Sequence, residues 1–240
     1  MLDIERQTRI VELLRRHETL TTAELSAHLY ASPATIRRDL GKLEAAGLLR
    51  RTHGGAVAVS GPESEIPFSL RESIMDTAKR NIAAKAVSHV KNGDVILLDA
   101  SSTVLRLVPL LAAYTNLTVV TNGLRTAAEL AEHHIRTLVT GGVLLENSLA
   151  FVGRSAERFI GDINADVLFF SCRGVSEEAE GAARLTDSSL EEASIRKEML
   201  RRSKKHVFLC DSGKFGQGYA YNICTMEDVD VCISDKAREG

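Results

Sequence analysis

The stretch SPATIRRDLGKLEAAGLLRRTHGGAV, residues 32–57, decides how the first part of this chain folds. Ser32 offers a capping hydroxyl directly before Pro33, whose missing N–H costs nothing at a first helical position. Apolar residues then recur at the spacing of one buried helical face: Ile36, Leu40 and Leu43. The stretch therefore predicts a helix that begins at residue 33 and buries one side.

Two further helices are predicted before this one and a β-hairpin after it. Residues 4–14 follow a helical apolar period, and residues 21–24, TTAE, have the form of a capping box for a second helix that ends at a turn, Tyr30-Ala31. Gly47 is expected to end the third helix, and residues 48–57 read as two short strands around a glycine turn. Three helices and such a hairpin are typical of a winged helix-turn-helix.

The side of the third helix opposite its apolar face carries short and hydroxyl-bearing residues at its start and basic residues further on. This pattern suits a recognition helix, because small residues can approach base edges while arginines bind guanine or phosphate. The predicted DNA-contacting residues are Thr22 on the second helix and Ala34, Thr35, Arg37, Arg38 and Lys42 on the third. Asp39 is expected to pair with a neighbouring arginine and fix the rotamer of that side chain. The alternative is a solvated basic face on a module that binds another protein.

The charge of the chain is unevenly distributed. The 240 residues have a formal net charge of −2, which taken alone argues against binding to nucleic acid. Residues 1–60, however, hold nine Lys/Arg against seven Asp/Glu, and the other 180 residues hold 21 against 25. The cations of the first part are concentrated between Thr35 and His53. A local basic patch of this kind is the electrostatic pattern expected of a DNA-binding unit.

Composition argues against several other classes of protein. No apolar run reaches roughly eighteen residues, and the opening MLDIERQTR mixes acids and bases, so we predict neither a membrane span nor a signal peptide and expect a cytoplasmic protein. The four cysteines form no CxxC pair, which favours reduced thiols over disulfides or a zinc site: Cys172, Cys210, Cys224 and Cys232. We predict no metal ion and no cofactor.

The composition and the apolar pattern of the chain change after its first sixty residues. Residues 60–67 are small and polar with two prolines, which is typical of a linker, so we predict a DNA-binding domain over 1–59 and a second domain over 68–240. A helical period over 68–90 is followed by short apolar runs that alternate with helical stretches: 95–98, 117–120, 137–139, 167–170, 207–209 and 229–233. This alternation predicts an α/β domain with a largely parallel sheet.

The residues that follow these predicted strands share a chemistry. Ligands bind at the carboxyl ends of the strands in such sheets, and a hydroxyl-rich loop before a helix can hold a phosphate on its backbone N–H groups. Hydroxyls, an amide, glycines and charged groups follow five of the strands: Asp99, Ser101, Ser102 and Thr103; Thr121 and Asn122; Gly141 and Gly142; Arg173; Asp211 and Lys214. Together they predict a site for a small phosphorylated polyol.

The run TIRRDLGKLEAAGLLRRTHGGA, residues 35–56, closely resembles the signature of the DeoR family of bacterial repressors, the glycerol-3-phosphate-repressor type. The second domain resembles the sensor domain of that family in NGDVILLDASST, VVTNG, VTGG, FVGRSAERFI, EEASIRKEM and FLCDSGKFG. The resemblance implies a fold related to ribose-5-phosphate isomerase and a phosphorylated sugar or sugar alcohol as effector. It implies that Ser32, Thr35, Arg37 and Arg38 lie at the DNA, with the DNA-contacting Arg50 and Arg51 in the wing. Glu192, Arg196 and Met199 match the family's helix before the last lysine motif, and Arg196 is predicted to bind the effector.

Two positions depart from the family pattern. Arg173-Gly174 stands where the family commonly has Asp-Gly, and Gly213 stands where a serine commonly precedes the lysine. An arginine in place of a carboxylate adds a bidentate anion donor, so the effector could be more acidic or carry a second phosphate. The alternative is that Arg173 pairs with the acidic residues of the run 177–180.

Two functions from different classes follow. The first is a transcriptional repressor that acts as a dimer or larger homo-oligomer, because paired operator half-sites mirror the symmetry of the protein. The second is a sugar-phosphate isomerase or deaminase-like enzyme with an attached DNA-binding domain. Enolisation needs a carboxylate base, for which Asp99 and Asp211 are available, although the position where such an acid is expected reads Arg173.

Overall fold

The computed structural model describes residues 3–45, 48–58, 67–176 and 182–235. The chain divides into two compact units, Met1–Ile74 and Met75–Gly240. The predicted linker lies outside the described residues except for Pro67, so the domain limits at 59, 60 and 67 stay a prediction. The predicted helix end at Gly47 and the acidic run 177–180 also lie outside them. No helix in the described ranges is long and apolar enough to cross a bilayer.

The first unit is a winged helix-turn-helix, as predicted. Its helices are α1 (Asp3–His17), α2 (Thr22–Leu29), α3 (Pro33–Ala45) and α4 (Phe68–Ser73). Its strands β1 (Thr19–Thr21), β2 (Leu49–Arg51) and β3 (Gly55–Ala58) form an antiparallel sheet in the order β1-β3-β2. The sequence did not predict β1, because a three-residue strand is too short to show an alternating pattern.

Local side-chain chemistry sets the starts of α2 and α3. The Thr21 hydroxyl accepts a hydrogen bond from Glu24 N at 3.2 Å, and the Glu24 carboxylate accepts one from Thr21 N at 2.7 Å, which is the predicted capping box. Ser32 Oγ accepts from Thr35 N at 3.2 Å at the start of α3. The apolar stripe of α3 is buried as predicted. Gly55 is required where β3 meets β1, because a Cβ there would lie 2.1 Å from the Leu20 carbonyl oxygen.

The second unit is an α/β domain. Its helices are α5 (Asp76–Ala86), α6 (Val108–Leu111), α7 (Leu124–Glu132), α8 (Arg154–Gly161) and α9 (Leu190–Arg201). Its strands are β4 (Val95–Leu98), β5 (Thr118–Thr121), β6 (Thr137–Val139), β7 (Val143–Leu145), β8 (Ala150–Val152), β9 (Val167–Phe170), β10 (Gly174–Ser176), β11 (Arg184–Asp187), β12 (His206–Cys210), β13 (Tyr221–Thr225) and β14 (Val231–Ser234). A short 3₁₀ helix follows β4 at Val104–Leu107 and another follows β12 at Ser212–Lys214.

A six-stranded parallel sheet in the order β14-β12-β9-β4-β5-β6 forms the centre of this unit. All six predicted strands are present, and the parallel pairing is confirmed. The central strands are apolar on both faces, as strands covered by helices on both sides must be. Leu97, Leu168, Phe170 and Phe208 are completely buried there.

Two smaller sheets were not predicted. The hairpin β7-β8 follows β6, and the antiparallel strands β10, β11 and β13 form a three-stranded sheet in the order β10-β11-β13. Strands β7 and β8 are apolar but only three residues long, and β10, β11 and β13 contain polar or charged residues, so no apolar run of strand length marked any of them. They matter for function because β7 and β10 come directly after the predicted ligand loops.

Candidate DNA-contacting surface and effector site

The solvent-facing side of α3 carries four of the candidate DNA-contacting residues. Ile36, Leu40 and Leu43 are at most 2% exposed, so the opposite side of the helix faces solvent. The exposed candidates are Ala34, Arg37, Arg38 and Lys42 on α3, Ser32 at its cap, and Arg50 and Arg51 on β2, while Thr22 and Thr35 are half-buried. The exposed side of α3 therefore presents small side chains at the start of the helix and basic side chains further along it, and both are accessible to a partner.

These cations differ in how far they are already paired. Arg38 Nη2 and Lys42 Nζ lie 3.9 and 3.8 Å from the carboxylate of Asp3, and Arg51 Nε lies 3.2 Å from Glu44. Such exposed pairs are weak and exchange readily for a phosphate. Arg37 and Arg50 have no ion-pair partner in the part of the chain that the structure describes. They are therefore the cations most available to DNA.

Asp39 has a structural role, but its partner is not the one expected from the sequence. Its carboxylate is completely buried and accepts hydrogen bonds from Arg6 Nε at 2.5 Å and from Gln7 Nε2 at 3.2 Å. The hydrogen bond to Asp39, reinforced by one to Asp3, raises the pKa of Arg6. The predicted neighbouring arginine is thus a residue of α1, and the ion pair fixes α3 to α1 rather than fixing a rotamer on α3.

The candidate effector residues lie at one edge of the parallel sheet. Strands β12, β9, β4, β5 and β6 are parallel neighbours, so their carboxyl ends lie side by side. Hydrogen bonds then connect the loops that follow these ends. Ser171 N donates to Asp99 Oδ2 at 3.1 Å, and Lys214 Nζ donates to Ser171 Oγ at 2.7 Å. The loops after β4, β9 and β12 are therefore one hydrogen-bonded assembly.

Asp99 is fully occupied within the protein. Its Oδ1 accepts from Ser101 N at 3.0 Å, and its Oδ2 accepts from Ser171 N and from Arg196 Nε, the latter at 2.8 Å. The residue is completely buried. A carboxylate whose lone pairs already hold three N–H groups shapes two loops and is poorly placed to serve as a base.

Arg196 joins three carboxylates inside the second unit. Its guanidinium donates to Asp99, to Asp187 Oδ2 at 2.8 Å and to Glu192 Oε2 at 3.1 Å, and the residue is 4% exposed. Burial by itself would lower the pKa of Arg196, but the charges of Asp187, Asp99 and Glu192 outweigh it and raise that pKa. The cluster links α9 and β11 to the loop after β4.

Lys214 and Asp211 form the part of the edge that follows β12. Lys214 Nζ lies 3.5 Å from Asp211 Oδ2, and the hydroxyl of Ser171, which accepts from this lysine, donates in turn to the Leu209 carbonyl at 2.6 Å. Nearby, burial raises the pKa of Cys172 to about 12, although Lys214 and Arg196 act in the opposite direction. The Cys172 thiol is therefore neutral at physiological pH and not a nucleophile.

Lys79 is a candidate site residue that the sequence reasoning missed. It lies on α5, is only 4% exposed, and donates from Nζ to Ser102 Oγ at 3.0 Å. The sequence did indicate that Lys79 is buried, because Lys79, Ile82, Ala83 and Ala86 have the i, i+3, i+4, i+7 spacing of one buried helical face. A lysine on a buried face needs a polar partner for its ammonium group, and here that partner is in the loop after β4.

The loops after β5 and β6 contribute hydroxyl, amide and backbone groups. Thr121 Oγ1 accepts from Gly123 N, and Asn122 Nδ2 donates to the Phe151 carbonyl at 3.1 Å. Asn122 Oδ1 and Thr103 Oγ1 are buried with no hydrogen-bond partner among the described residues. Gly141 and Gly142 have φ of +63° and +107°, and a Cβ on Gly142 would lie 2.5 Å from the Val152 carbonyl oxygen.

Arg173 stands apart from this network. It is half-exposed, and its backbone N–H donates to the Thr186 carbonyl at 3.0 Å. None of the described residues forms an ion pair with its side chain. The structure thus connects the loops after β4, β9 and β12 through Asp99, Ser171, Arg196 and Lys214, and leaves the guanidinium of Arg173 outside. No described group of His, Cys, Asp and Glu is arranged to hold a metal ion.

A winged helix-turn-helix unit followed by an α/β unit with hydroxyls and cations at its strand ends defines a DNA-binding regulator with a sensor domain. The model of the DeoR-like helix-turn-helix domain matches residues 6–61, and that of the DeoR C-terminal sensor domain matches residues 75–236. The chain belongs to the DeoR family of transcriptional regulators.

Relatives match over nearly the whole chain. An uncharacterised HTH-type transcriptional regulator, YulB, of Bacillus subtilis is 39% identical over 100% of this chain and 91% of its own length. The transcriptional repressor AccR of Agrobacterium fabrum is 35% identical over 96% of this chain and 89% of its own. The L-fucose operon activator of Escherichia coli is 34% identical over 97% and 95%. These names favour the regulator over the enzyme alternative.

Ribose-5-phosphate isomerase is among the similar solved structures. The enzyme from Methanocaldococcus jannaschii superposes with a TM-score of 0.43 and 17% identity, covering 58% of this chain and 54% of its own. This similarity is too distant to bear on activity.

Proposed function

We propose that this protein is a repressor of carbohydrate-metabolism genes whose affinity for double-stranded operator DNA is set by a phosphorylated sugar or sugar alcohol. The observation that carries the effector assignment is the pair of lysines, Lys79 and Lys214, that hold hydroxyls of two different strand-end loops. Relatives named as regulators of sugar operons support the carbohydrate part. Two or more copies act together, because one winged-helix contact is small and operator half-sites are paired.

The phosphate is assigned to the loop after β4. Ser101 and Ser102 are 5% exposed, and Lys79 brings a positive charge to the Ser102 hydroxyl. A phosphate is recognised by backbone N–H groups, hydroxyls and a lysine in this way, and burial strengthens each charge-assisted hydrogen bond. The unpartnered oxygens of Thr103 and Asn122 are suited to the hydroxyl groups of a polyol.

Asp99 and Arg196 contribute to the site indirectly. The carboxylate of Asp99 accepts hydrogen bonds from Ser101 N, Ser171 N and Arg196 Nε, and these contacts hold the loops after β4 and β9 in place. We therefore assign them a positioning role and leave direct contact with the effector to the hydroxyls, the glycine loop, Asp211 and the two lysines. Arg173 is available for a second acidic group of the effector.

A panel of sugar phosphates tested against the corresponding free sugars should identify the effector class. A ligand at about 100 times its dissociation constant adds roughly 2.7 kcal/mol to the free energy of unfolding, which a thermal-shift assay detects. We expect phosphorylated members alone to raise the Tm, and Lys79→Met or Lys214→Met to abolish the rise.

Lys204→Met is the matched control, since Lys204 is an exposed lysine of the same unit that pairs with Asp166. It should keep the full shift. A panel in which no sugar phosphate exceeds its free sugar, or a shift that survives both lysine substitutions, would contradict the effector proposal.

Arg37→Ala is expected to weaken operator binding by about 1–3 kcal/mol if the arginine reads a base, and Arg38→Ala to weaken it with a smaller salt dependence if that arginine contacts phosphate. Fluorescence anisotropy on a duplex selected with the wild-type protein from a random library measures both. Arg9→Ala, an exposed arginine on α1, is the control. Unchanged binding in both α3 variants would leave the protein-interaction module as the better interpretation.

A further inference from the structure

Four side-chain oxygens around one point of the second unit are buried and have no hydrogen-bond partner among the described residues. They belong to Thr103, Asn122, Thr126 and Ser148, and each of these residues is at most 2% exposed. A buried polar group that stays unpaired destabilises a folded protein, and native structures contain few such groups. A group of four therefore indicates that a molecule other than the protein pairs with them.

Three of the segments that carry these oxygens meet at Gly123. Strands β4 and β5 are parallel neighbours, so the loops that follow them, with Thr103 and Asn122, lie side by side. Thr126 Oγ1 lies 2.8 Å from the position that a Cβ on Gly123 would take, and Ala100 Cα, in the loop after β4, lies 3.1 Å from the same position. The Thr126 hydroxyl is therefore next to the loop to which we assign the phosphate.

The β7–β8 hairpin brings Ser148 to the same place. The carbonyl of the next residue, Leu149, accepts a hydrogen bond from Leu124 N at 2.9 Å, and Ala150 pairs with Gly123. The turn of the hairpin, which carries Ser148, is thus fixed to the start of α7. All four oxygens consequently lie on segments that contact one another.

These oxygens lie beside the charged end of the effector site. Lys79 Nζ donates to Ser102 Oγ at 3.0 Å, in the loop that also carries Thr103. A phosphorylated sugar is divided in the same way, with a charged phosphate at one end and neutral hydroxyls along the rest. Three of the four oxygens are hydroxyls, which donate or accept, and the amide oxygen of Asn122 accepts, so all four can pair with the hydroxyls of a sugar.

The backbone of the β7–β8 hairpin provides for entry of a ligand to these buried oxygens. Among the described strands, β7 and β8 pair only with each other. Gly142 directly precedes the hairpin and Gly153 directly follows it, with φ of +107° and +90°. Glycine has the conformational freedom that a hinge requires, so a movement of the hairpin about these two residues can uncover the oxygens.

We propose that the effector is a sugar phosphate or sugar-alcohol phosphate of five or six carbons, whose hydroxyls pair with Thr103, Asn122, Thr126 and Ser148. Four unpaired oxygens on four segments need about as many hydroxyls. Glycerol 3-phosphate has two free hydroxyls, whereas ribitol 5-phosphate and fructose 6-phosphate have four each. The proposal rests on the proposed function, to which it adds two effector-binding residues, Thr126 and Ser148, and the size of the effector.

Thr126→Val and Ser148→Ala test the unpaired state of the hydroxyls without any ligand. Each variant loses a hydroxyl that has no partner, so its Tm should stay the same or rise by about 2 °C. Thr186→Val is the control and should have a lower Tm, because this buried threonine donates to the Gly174 carbonyl at 2.9 Å and accepts from Tyr219 N at 3.1 Å. An equal fall of the Tm in all three variants would show that internal water already pairs the hydroxyls, and would overturn the proposal.

Isothermal titration calorimetry of the full chain tests the size of the effector. The tightest ligand among fructose 6-phosphate, ribitol 5-phosphate and sorbitol 6-phosphate should bind at least tenfold more tightly than glycerol 3-phosphate, because a site that binds hydroxyls rejects a ligand that leaves it unpaired. Thr126→Val and Ser148→Ala should each weaken the binding of that ligand at least fivefold and leave the dissociation constant of inorganic phosphate unchanged.

Two results would overturn the proposal and leave the proposed function intact. One is that glycerol 3-phosphate binds as tightly as the best of the longer ligands, and the other is that both variants bind that ligand like the wild type. If neither inorganic phosphate nor any of the phosphorylated ligands binds, the effector assignment of the proposed function fails, and this proposal fails with it.

Discussion

Replacing Arg196 by methionine should lower the free energy of unfolding of the second unit by about 3–5 kcal/mol, because it leaves buried carboxylates without their common partner. Asp99, Asp187 and Glu192 are each at most 2% exposed, and all three receive hydrogen bonds from this one guanidinium. Methionine has a similar volume to arginine, so the loss of stability would come from the missing charge and not from a cavity. Urea denaturation followed by circular dichroism measures it.

Arg196→Lys separates charge from geometry. A lysine keeps the positive charge but lacks the planar fork that reaches three carboxylates, so it should recover only part of the stability. Arg201→Met is the control on the same helix, since Arg201 is itself exposed, its partner Glu198 keeps a second pair with Arg202, and the loss should be well under about 1 kcal/mol. A stability of Arg196→Met within about 1 kcal/mol of the wild type would show that the cluster does not hold these loops.

The elements that the sequence predicted correctly are those encoded by neighbouring residues. Thr21 with Glu24, and Ser32 with Pro33, mark helix starts because capping depends on contacts three residues apart. The six parallel strands were recognisable because a strand buried on both faces is a continuous apolar run. Their order in the sheet required the structure, since register depends on contacts between distant segments.

The features that were missed depend on tertiary contacts. Arg6 and Asp39 are 33 residues apart, so nothing local to α3 shows that its carboxylate pairs with α1. Strand β1 is three residues long and is a strand because it pairs with β3, which lies more than thirty residues further along the chain. At the effector site, sequence patterns indicated the loops, but whether a charged group faces a ligand or another part of the protein depends on packing. Arg196 faces three carboxylates of the protein, and Lys79 is the residue that we propose faces the ligand.

Arg6→Met is expected to destabilise the first unit by about 3–5 kcal/mol, because it removes the charged partner of a carboxylate that is completely buried. A unit of this size rarely has more than roughly 3–5 kcal/mol of stability from its core, so the substitution should unfold much of it at 37 °C. Specific DNA binding should disappear with it, although no residue of the DNA-contacting surface has been changed. The effector-induced thermal shift should remain, because it belongs to the second unit.

A double substitution distinguishes the buried charge from a lost contact. In Arg6→Met/Asp39→Leu both charges are gone, and apolar replacement of a buried pair is often neutral, so most of the stability and the DNA binding should return. Arg9→Met is the control on α1, where the pair with Glu5 at 3.9 Å is exposed on both sides. Differential scanning calorimetry and anisotropy on the selected duplex provide the readouts. If the double variant is no more stable than Arg6→Met, the unpaired carboxylate is not the cause, and the apolar stem of Arg6 is what α3 requires.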